Sequence, residues 1–296
     1  MRVKDRIIFI IIILIEIGTP LVITSVGCTG NRILEEELSV DDAGYYALII
    51  GVEKFLDMNL TQFAHYIEEN AIATYELLEN SVNWNSSHMK LLLNEDATKK
   101  SIRDNITGWL DNLEDEDDVV LIYFSGHGYK IPPSLREKGY AHIVPYDAAD
   151  WHYCDNVITD KELDSWLDEL ESNKIVVIIE SCYSGRMLSI REEGRVILTA
   201  GGKYFLCPVD ESEELNHGIF TYFLLKGFSG SADKNLDGWV SAEEVFHYAQ
   251  FLTFRYSLLY QFPFIKRFNE TIYLSPPQLP YMYDQYNGEI KLVKIS

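Results

Sequence analysis

The stretch Ile175-Val176-Val177-Ile178-Ile179-Glu180-Ser181-Cys182-Tyr183-Ser184-Gly185 decides the fold, because a short β-branched apolar run ends there on an acid and a cysteine. Such a run reads as a buried central strand, and the cysteine falls where that strand meets its loop. A second run of the same shape, Val119 to Phe124, ends in Ser125-Gly126-His127-Gly128. Open α/β sheets carry their chemistry just past the carboxyl ends of such strands. If the two strands are neighbours, His127 and Cys182 face one cleft.

Working outward, the rest of the chain alternates strand and helix patterns. Tyr45 to Val52 reads as a first buried strand and Met89 to Leu93 as a second, with Val196 to Ala200 the last of the parallel set. Between them, Ile67 to Leu78, Ser101 to Leu113, Thr159 to Leu170 and Gly218 to Gly227 have helical spacing, and Thr159 with Glu162 forms a capping box. The fold class expected is α/β, a mostly parallel sheet with helices on both faces. The acidic block Glu114 to Asp118 reads as a solvated helix end or loop. Beyond Tyr260, Pro276-Pro277 and Pro280 argue against a central strand.

The chain has 296 residues, 47% of them hydrophobic, enough for one substantial core. A formal net charge of −21 leaves no clustered Lys and Arg for phosphate neutralisation, so no nucleic-acid partner is expected. The charge suits cationic substrates and metal ions. Arg2, Lys4 and Arg6 precede the apolar run Ile7 to Ile15, the pattern of a signal peptide or membrane anchor. Gly27-Cys28 resembles the end of a prokaryotic lipoprotein signal, with Ser25 where a branched aliphatic is preferred. The expected location is therefore membrane-associated or secreted, with a lipid anchor as one form. The other cysteines, Cys154, Cys182 and Cys207, show no metal-pair or disulfide spacing, and N-x-Ser/Thr sequons at Asn59, Asn85, Asn105 and Asn269 suit an exported surface.

Thiol peptide cleavage needs a nucleophile, a proton donor for the leaving amine, and N–H dipoles at the developing oxyanion. Cys182 and His127 supply the first two; the backbone N–H of Gly128, with that of Cys182, supplies the third. Glycines on both sides of His127 are expected to allow a tight turn and close substrate approach.

These residues resemble the caspase-like cysteine proteases, in particular metacaspases and more distantly legumains. The resemblance rests on Tyr123 to Gly128, Val144-Pro145-Tyr146-Asp147-Ala148, Glu180 to Gly185 and the first strand Ala47 to Val52, and covers roughly Tyr45 to Leu225. It implies a caspase-type sheet, a Cys182–His127 dyad and hydrolysis of protein or peptide bonds after one chosen residue. Metacaspases carry Asp two residues before the nucleophile, whereas this chain has Glu180, as the asparagine-cleaving legumains do. Glu180 is thus expected to bind the substrate side chain, basic (Arg or Lys) first and Asn second. Arg186, Arg191 and Arg195 after the nucleophile are candidate self-cleavage sites. A non-catalytic caspase-fold scaffold and a thioester-mediated transpeptidase are the alternatives.

Further on, Asp233, Asn235, Asp237, Gly238, Ser241 and Glu244 match positions 1, 3, 5, 6, 9 and 12 of an EF-hand loop, and the carbonyl of Trp239 would add position 7. Oxygen ligands wrap a hard cation at this spacing, so Ca2+ is the expected cofactor. As a single hand without a partner, it is expected to be a structural or weak site. The domain plan expected is a signal peptide or anchor at 1–27, a linker at 28–42, the peptidase domain at 43–275 including the loop 233–244, and a tail at 276–296.

Overall fold

A computed structural model describes residues 43–56, 65–149, 154–202, 211–261, 264–268 and 271–295. The amino-terminal signal or anchor, the linker, Cys28, Asn59, Cys207 and Asn269 lie outside the described residues. No helix among the described residues is long and apolar enough to cross a membrane.

The first half of the chain runs β1 (Tyr45–Val52), α1 (Ile67–Glu79), β2 (Met89–Leu93), α2 (Lys99–Asp104), β3 (Val119–Gly126), β4 (Gly128–Lys130), β5 (Ala141–Ile143), β6 (Ile158–Thr159) and α3 (Asp160–Leu167). Then follow β7 (Ile175–Glu180), β8 (Arg195–Thr199), β9 (Glu211–Ser212), β10 (His217–Gly218), α4 (Ile219–Lys226), β11 (Trp239–Ser241), α5 (Ala242–Tyr256), β12 (Phe264–Phe268), β13 (Thr271–Ser275), β14 (Tyr281–Asp284) and β15 (Lys291–Lys294). A six-stranded sheet in the order β14-β8-β7-β3-β1-β2 forms the centre. Its strands are parallel except β14, which pairs antiparallel with β8.

Period-two alternation divides the strands between two cores. Leu48, Ile50, Val120, Ile122, Phe124, Val177 and Ile179 point to the face covered by α2, α3 and the π-type turn Asn105–Leu110. Ala47, Ile49, Leu121, Tyr123, Val176 and Ile178 point to the opposite face, covered by α1, α4 and α5. Each fully buried Ile or Leu contributes about 2 kcal/mol of transfer free energy. Continuous apolar runs are required because both faces are dry. The parallel sheet with helices on both faces is the expected α/β class.

Local rules account for the helix ends. Thr159 caps α3 as expected: its side chain accepts the Glu162 N–H while the Glu162 carboxylate accepts the Thr159 N–H. The expected helix from Ser101 starts two residues earlier because Thr98 caps it.

Two expectations change. The acidic block is not wholly solvated: Glu114 and Asp118 are buried, Glu114 accepting the N–H groups of Glu171 and Ser172, and Asp118 those of Gly44 and Asp115. Their burial joins the loop before β3 to the loop before β7 and to the start of β1, while residues 115–117 stay exposed. Arg195 is not a loop residue; it opens β8, is 4% exposed and pairs with Asp164 and Asp168, which removes it as a cleavage site. Past 276 the chain packs on the domain without supplying a central strand, as its prolines argue. β14 completes the sheet edge, where the absence of a second neighbour tolerates the prolines before it, and β15 pairs with β11. Trp84 Nε1 donates to the carbonyl of Leu292, fastening β15 to the loop after α1.

Candidate active site

Register builds the site. β3 and β7 are parallel neighbours with Ser125 opposite Glu180, so His127 and Cys182 each follow by two residues at the same end of adjacent strands. Both are partly exposed, as groups that meet a substrate must be. The loops touch: a Cβ on Gly128 would stand 2.6 Å from the Cys182 carbonyl oxygen and 2.6 Å from Ser181 Oγ. Glycine is needed at 128 for this approach. It is not needed for a left-handed turn, since neither Gly126 nor Gly128 has positive φ, which corrects the expectation of a glycine-dependent turn. At Gly126 the close neighbours are the Phe124 ring and the Val52 carbonyl.

The imidazole of His127 stacks on Phe55, ring centroids 5.2 Å apart and planes 18° apart. Phe55 is buried just beyond β1, and it fixes the plane of the ring, a role no motif signalled. After Cys182, Tyr183 takes φ 59°, a left-handed conformation costly for an aromatic residue. The surroundings hold it there: Tyr183 is buried and packs edge-on against Tyr129, centroids 5.1 Å apart. Strained backbone of this kind is common at functional sites.

Alternation sends Glu180 to the face of α1 and α4, where it is 3% exposed. Its Oε2 accepts the Thr221 N–H at 2.7 Å and the Thr221 hydroxyl at 2.6 Å. Because the single hydroxyl proton of Thr221 goes to Glu180, the Tyr123 hydroxyl, 2.6 Å away, must donate to Thr221 Oγ1. Glu180 Oε1 is buried and accepts no hydrogen bond of ordinary geometry, although the Gln278 amide is close enough to favour the ionised form. Burial dominates, and it pushes the Glu180 carboxyl up to about 7 against the pull of Thr221 and Gln278.

Asn70 on α1 is the second buried polar group sequence reading missed. Its amide donates to Ser125 Oγ, and its carbonyl accepts the Gly218 N–H at 3.1 Å. That oxygen also lies 3.0 Å from His217 Nδ1, which therefore carries the proton. A Cβ on Gly218 would stand 3.0 Å from the Glu180 carboxyl carbon and 3.1 Å from Asn70 Nδ2, so bare backbone lets these groups close up. Neither Asn70 nor Thr221 belongs to a motif; only their place on helices facing the strand ends could have marked them.

The predicted calcium loop lies apart. Gly238 has φ 81° with open space where a Cβ would stand. Asp233 Oδ2, Asn235 Oδ1 and Asp237 Oδ1 accept the N–H groups of Gly238, Asp237 and Trp239, and Ser241 with Glu244 makes a capping box at the start of α5. Glu244 Oε1 also accepts the Lys234 N–H at 3.1 Å. The side-chain oxygens of the loop thus turn back onto its own backbone, and β11 beside it pairs with β15. Asp233 Oδ1 is buried without a hydrogen-bond partner, the one orphaned oxygen of the loop, and all donors are oxygen, which fits a hard cation. Against a preassembled cage, Lys291 Nζ pairs with Asp237 Oδ2, and among the described residues no three His, Cys, Asp or Glu side chains are gathered to hold a metal ion.

The mostly parallel sheet with helices on both faces and the paired strand ends form a caspase-like α/β domain. The family described as metacaspase, peptidase C14 domain, matches residues 47–191. Metacaspase-4 of Arabidopsis thaliana is 26% identical over 170 residues, covering 54% of this chain and 38% of that protein. The chain thus matches well under half the length of that relative. The crystal structure of protein GSU0716 from Geobacter sulfurreducens shares the fold, with a TM-score of 0.57 at 14% identity over 86% of this chain and 100% of that one.

Proposed function

We propose that the protein is a cysteine endopeptidase that uses Cys182 as nucleophile and His127 as acid–base, and cleaves after Arg or Lys, with Asn second. The observation that carries this reading is the Ser125–Glu180 register with the Gly128 backbone against Cys182, which supports a thiol and an imidazole sharing one cleft. In the reaction, His127 takes the thiol proton and the sulfur adds to the scissile carbonyl. The N–H groups of Gly128 and Cys182 receive the oxyanion, and His127 then protonates the departing amine. A water, deprotonated by His127, hydrolyses the thioester and restores the thiol. Specificity follows from Glu180: a buried carboxylate with one unsatisfied oxygen gains most from a cationic or amide donor.

A calcium ion at Asp233, Asn235, Asp237, the Trp239 carbonyl, Ser241 and Glu244 belongs to the same proposal. When bound it supplies charge compensation that ties the start of α5 to its preceding loop. Delivery to a membrane by the first 27 residues completes it. The test is cleavage of Arg, Lys, Asn and Asp reporter peptides by the full chain and its Cys182→Ala variant. Cleavage of the Arg and Lys reporters, abolished in the variant, supports the reading; equal turnover by the variant removes Cys182 from the mechanism.

A further inference from the structure

A cavity of about 930 Å3 opens beside the amino end of α5, walled chiefly by Glu243, Glu244, His247, Tyr248, Asp284 and Glu289. Glu243 is 7% exposed. One of its oxygens accepts the Ile290 N–H at 3.1 Å; the other, Oε1, is buried and accepts no hydrogen bond. Four acidic residues thus line this space with one lysine, Lys234. A buried carboxylate oxygen without a donor is costly, and native structures leave few such atoms unexplained.

We infer that this cavity binds an organic cation, a primary ammonium group on an aliphatic chain, with Glu243 as its buried anchor. A cation whose charges are spread along a chain suits carboxylates spread around a wall. Tyr248 and Met282, which also line the space, provide apolar surface for the intervening methylenes and an aromatic face for an ammonium. The volume lies within the ordinary range of small-molecule sites, about 300–1,000 Å3. The site is separate from the thiol chemistry, and the inference stands whether or not the peptidase reading holds; it shares Asn235 and Glu244 with the proposed calcium loop, so the test is made in chelator.

The ammonium could be that of a free polyamine or of lysines on a basic peptide, and the experiment separates them. The full chain is titrated calorimetrically, in chelator, with spermidine and in parallel with a terminally blocked Lys-rich peptide; magnesium chloride at matched ionic strength serves as control. Glu243→Gln keeps the shape and the Ile290 contact, and Asp284→Asn tests the wall independently. Saturable binding of spermidine, weakened about tenfold or more by either substitution, is the expected result. Binding of the peptide alone with the same dependence places the ammonium on a protein chain and upholds the site. Absence of binding by both ligands, binding equalled by magnesium, or affinities unchanged in both folded variants overturns it.

Discussion

Ser125 and Glu180 stand directly opposite one another on the parallel strands β3 and β7. Everything at the candidate site descends from that pairing. Their side chains lie on the face covered by α1 and α4, where Asn70 holds the serine and Thr221 the glutamate. Two residues further along, each strand delivers one of the two groups the proposed chemistry needs.

The contact between the two strand-end loops is tight enough to test by a single methyl. Gly128→Ala places a Cβ 2.6 Å from the Cys182 carbonyl, so the loops must part. A displacement near 1 Å at a reacting pair costs about 100-fold in rate. Steady-state kinetics should show kcat/KM falling by about that factor while circular dichroism is unchanged; an unaltered kcat/KM would separate Gly128 from the dyad.

Glu180 couples specificity to pH. Folding raises its carboxyl from 4.5 to about 7, so the folded chain holds a proton that the unfolded chain releases between those values. The stabilisation is complete below pH 4.5 and is lost as pH rises through about 7, at most about 3 kcal/mol. Glu243, raised to about 7 chiefly by burial, adds a contribution of the same sign. Urea denaturation from pH 4 to 8 should show a shallower decline in Glu180→Gln than in the parent. Because a guanidinium favours the ionised acid, KM for an Arg substrate should fall as pH rises toward 7, a dependence the Gln variant loses.

At the calcium loop the competitor is built in. Lys291 Nζ lies 2.9 Å from Asp237 Oδ2. Lys291→Gln removes a cation that Ca2+ must displace, and isothermal titration should show affinity rising several-fold. Asp233→Asn, which discards the charge on the orphaned oxygen, should weaken binding instead, about tenfold. Calcium should raise the melting temperature of the parent, and chelator should reverse the rise.

The carboxyl-terminal strand is expected to be indispensable. Truncation after Gln285 removes Ile290, Leu292 and Val293 from the core and the acceptor for Trp84 Nε1. At about 1.5–3 kcal/mol for each aliphatic side chain, the loss is about 4.5–9 kcal/mol, measurable as a large fall in the urea midpoint.

Sequence reading reached the elements whose cause is local. Ile175 to Glu180 and Val119 to Gly126 are strands because both faces are buried, and their continuous apolar runs say so. The cap at Thr159 needs only its neighbour Glu162. What escaped depends on residues brought from afar. Phe55, Asn70 and Thr221 look ordinary in the chain and acquire meaning only against His127, Ser125 and Glu180. Glu114 and Asp118 read as solvated charges because nothing nearby announces the backbone N–H groups, up to 74 residues away, that they satisfy. β14 was hidden by prolines that an edge position accepts.

The central claim is that Cys182 and His127 act as one unit. The direct measurement is mass-spectrometric labelling of the folded full chain by an irreversible, arginine-directed thiol inhibitor, followed over time. One label per chain is expected, on Cys182, with a rate that collapses in His127→Ala. Label absent from Cys182, or attached equally fast without the imidazole, would contradict it.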